Sequence, residues 1–185
     1  GASARATAMI ILIGWIGLYP FSTSRPQIFS FLGFTLFGTL LSSYVNRQHN
    51  RLYLLPLVML AWVNLHNGWV IGVLQLLVAI GLVGAKVIAN HEARGRLGPL
   101  LLWGATTMIT TWINPSGMGV YKHIITVGSN SINQQFVSEW QPLNITNSLS
   151  WPFYILLAVL IFALAYSRKR PALYELLLVG IFTGL

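Results

Sequence analysis

Residues 52–85 read LYLLPLVMLAWVNLHNGWVIGVLQLLVAIGLVGA: two apolar runs meet at a polar corner, Asn64-Leu65-His66-Asn67-Gly68, with no hydrophilic loop between them. The first run, Leu52 to Leu65, has 14 residues. As a helix it covers ~21 Å, against a bilayer core of ~30 Å. A reversal that follows so short a span lies near or below a membrane surface. Non-helical backbone survives there only against protein or a watery cavity. The stretch therefore predicts a tight hairpin of membrane helices whose corner lines a cavity.

The rest of the chain repeats this pattern. Of its 185 residues, 55% are hydrophobic and 8% charged, with a mean hydropathy of +0.69. Soluble domains carry about 25% charged residues. Apolar segments fall at approximately 6–19, 27–45, 52–66, 69–89, 97–113, 151–167 and 172–185. These define an all-α, polytopic transmembrane bundle of six to seven spans. The short alternating segments of a β-barrel are absent. Pro26 and Pro152 suit the first turn of a helix, where a missing N–H costs nothing. Pro56 sits early in the third segment and predicts a kink or a later helix start. The chain begins at Gly1 and stops within the apolar run LYELLLVGIFTGL. We therefore expect a single transmembrane domain over 1–185, cut at both ends from a longer protein. The first run lacks a small-residue cleavage site and reads as a span rather than a signal peptide.

There is no cysteine, so disulfides and thiolate metal sites are excluded. The net charge of +8 is a topology signal rather than a nucleic-acid footprint, because no basic and aromatic binding surface accompanies it. Arg5, Arg47, Arg51, Lys86, Arg94, Arg96, Arg168, Lys169 and Arg170 fall in alternate connections, nine on one side. Arg25 and Lys122 fall on the other. The positive-inside rule places the nine in the cytoplasm of a multi-pass inner-membrane protein. The outer connections are then 19–25, 64–68 and 114–150. The last, 37 residues long, exceeds a simple loop and contains a candidate interfacial helix at Gly119–Val127.

Polar motifs gather on that outer face. Arg25-Pro26-Gln27 opens the second span, where Arg25 and free helix N–H groups suit an anion such as a phosphate. The bland alternative is an arginine snorkelling to headgroups. His66, flanked by Asn64 and Asn67, suits a hydrogen bond to a phosphate or sugar oxygen, acid–base work or a metal. The alternative is a corner that satisfies its own backbone. Asn114-Pro115-Ser116-Gly117 reads as a turn, and Tyr121-Lys122-His123 as an interfacial patch. Glu139, beside Trp140, is the only acid assigned to the outer face; it would orient a sugar hydroxyl, hold a metal, or pair with Arg25 or Lys122. No cofactor is identified. A divalent metal would have to draw on His66, His123 and Glu139. Gln75, inside the fourth span, is a candidate for interhelical hydrogen bonding. Glu175 marks the start of the last helix.

In this order and on this side, the motifs resemble a family of bacterial multi-span membrane proteins. Its pattern is R-P-Q, W-x-N-L-H-G-G, N-P-x-G and E-W. The matching residues are Arg25, Pro26 and Gln27; Trp62, Asn64, Leu65, His66 and Gly68; Asn114, Pro115 and Gly117; and Glu139 and Trp140. Asn67 replaces a glycine of the pattern. Such proteins are similar to the glycosyltransferase-C superfamily, membrane enzymes that use polyprenyl-phosphate sugars on the outer face. The resemblance implies sugar transfer from a lipid-linked donor. Substrate would be bound by Arg25, Gln27, Asn64, His66, Glu139 and Trp140, with His66 and Glu139 as catalytic candidates. In that superfamily a catalytic acid sits in the first outer loop. Here YPFSTSR (19–25) has none, so an enzyme of this kind would carry it upstream of Gly1. A transporter or flippase of an anionic, lipid-linked substrate and a non-catalytic assembly protein are the other classes open.

Overall fold

The computed structural model describes residues 26–90, 94–129, 151–166 and 171–184, with Thr146 and scattered positions between 4 and 15. Among the described residues it is all-helical. The helices are α1 (Gln27–Val45), α2 (Leu55–Leu65), α3 (Trp69–Asn90), α4 (Arg94–Thr110), α5 (Gly119–Ser129), α6 (Trp151–Tyr166) and α7 (Leu173–Gly184). A 3₁₀ turn, Leu52–Leu54, leads into α2. Six of the seven apolar segments thus coincide with helices to within a few residues. The first, 6–19, lies largely outside the described residues. Among the described residues two helical stretches, Gln27–Val45 and Trp69–Ala89, are long and apolar enough to cross a membrane, with mean hydropathies of 1.6 and 2.2.

The chain divides into two compact units. In the larger, Pro26–Val127 with Pro171–Leu185, α1 packs on α2 and α3, α4 packs on α2 and α3, and α7 lies against α1 and α3. In the smaller unit, α6 is described over sixteen residues, none of them charged. It carries the aromatic pairs Phe153–Tyr154 and Phe162–Tyr166, with centroids 5.7 and 4.4 Å apart.

Local chemistry accounts for the helix boundaries. Pro26, with φ −57°, precedes α1 and presets the helical backbone without removing a needed donor. Pro56 falls in the first turn of α2, so the α-helix starts later than the apolar run and the preceding turn is 3₁₀. Glu175, in the first turn of α7, accepts the Ala172 N–H at 3.0 Å, half of a capping box.

α1 buries Ser30, Gly33, Phe37, Leu41 and Tyr44, a stripe at three- and four-residue spacing. At one end of the larger unit, Arg96 donates to the Tyr44 carbonyl and lies over the Tyr44 ring, Cζ 4.8 Å from its centroid. The Tyr44 hydroxyl donates back to the Arg96 carbonyl at 2.6 Å. This clamp ties the end of α1 to the start of α4. Side-chain bonds at the opposite end join the start of α1, the end of α2 and the residues after α4, so the four helices run alternately up and down.

Candidate functional site

The corner after α2 is built around the Trp62 indole, which is 2% exposed. A Cβ at Gly33 would sit 2.4 Å from Trp62 Cδ2, and one at Gly72 2.9 Å from Cζ3. Two glycines, one on α1 and one on α3, therefore let the indole lie flat between their helices. Its Nε1–H donates to Ser30 Oγ at 2.9 Å, and Ser30 Oγ lies 2.6 Å from His66 Nδ1. The Gly68 N–H also donates to His66 Nδ1, at 3.1 Å. A backbone N–H can only donate, so Nδ1 is an acceptor. The Ser30 hydroxyl, already accepting from Trp62, gives its proton to the same nitrogen. The network assigns the neutral tautomer with the proton on Nε2.

This narrows what His66 can do. Nδ1 is engaged and cannot serve as a base. Metal ligation through Nε2 would require a proton on Nδ1, pointing at the Gly68 N–H, whereas metal-bound histidines donate from their second nitrogen. What the half-buried ring offers is the Nε2–H, which has no partner among the described residues. It suits an oxygen anion or a sugar oxygen.

The flanking asparagines act as straps. The Asn64 amide nitrogen donates to Leu60 O at 2.8 Å and Ile113 O at 2.9 Å, tying α2 to the residues after α4. The Asn67 amide nitrogen lies 3.1 Å from His123 Nε2. The asparagine that replaces a glycine of the pattern thus links the corner to α5. Gly68 is required by proximity: a Cβ there would fall 2.2 Å from Ser30 Oγ.

Asn114–Gly117 forms the expected turn. Asn114 Oδ1 accepts the Ser116 N–H at 2.8 Å, and Gly117, at φ +51°, receives an Asn114 amide bond on its carbonyl at 3.1 Å. Left-handed backbone disfavours a side chain, so Gly117→Ala is expected to cost about 1 kcal/mol, read as a lower unfolding temperature with the His66 site intact. Beyond the turn, α5 extends to Ser129, with Val120 buried and Ile125 71% exposed. Tyr121 bonds Thr111 and packs edge-on to Trp69 at 5.4 Å.

The structure therefore brings His66, Asn64, Asn67 and His123 to one end of the larger unit. Gln27, in the first turn of α1, has a buried Oε1 without a hydrogen-bond partner among the described residues. Arg25, Glu139 and Trp140 lie outside the described residues. Among the described residues no group of three or more His, Asp or Glu is gathered to hold a metal, and the His66–His123–Glu139 set includes a residue outside them. Sequence reasoning missed Ser30, Gly33 and Gly72. Their signal was small residues on the inward face of apolar helices.

Comparison with protein-family models, with curated proteins and with solved structures returns no match to this chain.

Proposed function

We propose that the chain is part of a multi-pass inner-membrane protein of glycosyltransferase-C type, which holds a polyprenyl-phosphate sugar at its outer face. The observation that carries this reading is the locked His66, an Nε2–H donor fixed by Ser30, Trp62 and Gly68 at the end opposite the Arg96–Tyr44 clamp. In this arrangement the phosphate of the donor accepts from His66, and Arg25 supplies the charge. Gln27, with its unpartnered Oε1, accepts from a sugar hydroxyl, and Glu139 and Trp140 orient the acceptor. His66 binds and positions; the base for transfer is another group.

The distribution of side chains supports a lipid setting. The interior contains Ser30, Gln75, Thr107 and Thr111, each no more than 9% exposed, while Leu32, Leu57, Leu77 and Leu102 face outward at 58–64%. Membrane bundles place small and polar residues between helices and apolar ones toward lipid.

The test is a titration of nanodisc-embedded protein with a polyprenyl phosphate. His66→Ala is expected to weaken binding at least tenfold, the scale of one lost charge-assisted hydrogen bond of about 1.5–3 kcal/mol. His66→Gln, which retains a donor, recovers part of it. Unchanged binding in His66→Ala would overturn the reading.

A further inference from the structure

A second polar site lies between α1, α3 and α7, separate from the His66 corner. It is a cavity of about 440 Å³ bordered by Thr35, Thr39, Ser42, Gln75, Tyr174 and Glu175, among others. Gln75 is fully buried, and its Nε2 donates to Phe34 O at 3.3 Å while its Oε1 is buried with no partner among the described residues. The amide lies over Gly38, where a Cβ would come within 3.1 Å of Nε2. An orphaned acceptor at this depth is unfavourable unless something donates to it.

The hydroxyls around it are oriented alike. Thr35 gives its proton to Phe31 O at 2.8 Å, Thr39 to Thr35 O at 2.7 Å, and Ser42 to Glu175 Oε1 at 2.9 Å. The threonine lone pairs remain, while Ser42 Oγ also accepts from Asn46 Nδ2 at 3.1 Å. The Glu175 carboxylate has accepted one bond on each oxygen, from Ser42 and from the Ala172 N–H, and retains about two further acceptor positions. Among the described residues the cavity is thus lined largely by acceptors and carries a negative charge at its rim, the Ser43 and Tyr174 hydroxyl protons being given to Gln48 Oε1 and Gln75 O. An anion or a phosphate is the wrong complement. The volume is too large for a bare metal ion and falls in the range of small organic ligands.

We propose that this cavity binds a primary ammonium group, whose N–H donors complement the Glu175 carboxylate and the other acceptors that line it, the threonine oxygens and Gln75 Oε1 among them. Two sources carry that group: an ethanolamine lipid headgroup and a free small amine.

The experiment measures thermal unfolding of the purified full chain in detergent with ethanolamine, and with choline at equal ionic strength. Choline carries the same charge but no N–H. Ethanolamine is expected to raise the unfolding temperature saturably, with choline inert. Gln75→Leu and, because a core substitution can impair folding, the rim variant Glu175→Gln should each raise the half-saturating concentration about tenfold. Native mass spectrometry after reconstitution in vesicles of phosphatidylethanolamine and phosphatidylglycerol separates the sources. Retention of the ethanolamine lipid, displaced by free ethanolamine, identifies a lipid site; an ethanolamine response without retained lipid identifies a free amine. Equal responses to ethanolamine and choline, or variants that respond like the parent, would overturn the proposal.

Discussion

Trp62→Ala is expected to destabilise the protein by about 3–5 kcal/mol, the range for removing a buried tryptophan. The indole fills the space that Gly33 and Gly72 leave open and meets Phe37 edge-on at 6.4 Å. The glycines offer no side chain to fill the void, and Met59, whose Cε approaches the same space beside Gly72, is a flexible neighbour there. The substitution also removes the donor that turns the Ser30 hydroxyl toward His66. Trp62→Phe separates the two effects. It keeps most of the ring packing and costs about 1 kcal/mol for the lost hydrogen bond, yet it frees Ser30. Equilibrium unfolding in detergent measures both. A Trp62→Ala loss below about 1 kcal/mol would mean that the indole is not the centre of this packing.

Gly68→Ala should abolish ligand binding at the corner at a stability cost of about 1–3 kcal/mol. The added Cβ would fall 2.2 Å from Ser30 Oγ, 2.9 Å from Ser30 Cβ and 3.1 Å from His66 Nδ1. Rotating the serine hydroxyl away relieves the first contact only by breaking its bonds to both Trp62 and His66. The second contact requires the backbone to move. His66 then loses what fixes its tautomer, and its Nε2–H is no longer held toward a phosphate. Binding of polyprenyl phosphate to Gly68→Ala should fall at least as far as in His66→Ala. Retained binding would show that the Ser30–His66–Gly68 network is dispensable.

Helix positions were readable because membrane-type helices announce themselves by length and apolarity alone. The later start of α2 was half-readable in Pro56, which fits the first turn of an α-helix but not its interior. The Asn114–Gly117 turn was readable from its dipeptides, and the bond from Gln75 to a neighbouring helix from its polarity. The partners were not readable. Ser30 stands three residues into an unremarkable apolar helix, and its hydrogen bond to Trp62 spans 32 positions. Gly68 suggested a backbone reversal, yet its structural role is contact with a side chain from α1. Asn64 looked like a ligand-binding residue, and its amide protons are donated to two backbone carbonyls. Such roles depend on which helix faces lie together, information that hydropathy does not carry.

The alternating direction of α1 to α4 sets the His66 corner and the Arg96 clamp at opposite ends of the larger unit, and the proposed function requires the corner to face outward. The chain contains no cysteine, so single replacements report sidedness without background. Ser116 is exposed beside the corner end, and His49 is exposed beside the basic end. In spheroplasts, Ser116→Cys should react with a membrane-impermeant maleimide, and His49→Cys only after permeabilisation. Labelling of His49→Cys from outside, with Ser116→Cys protected, would contradict the account.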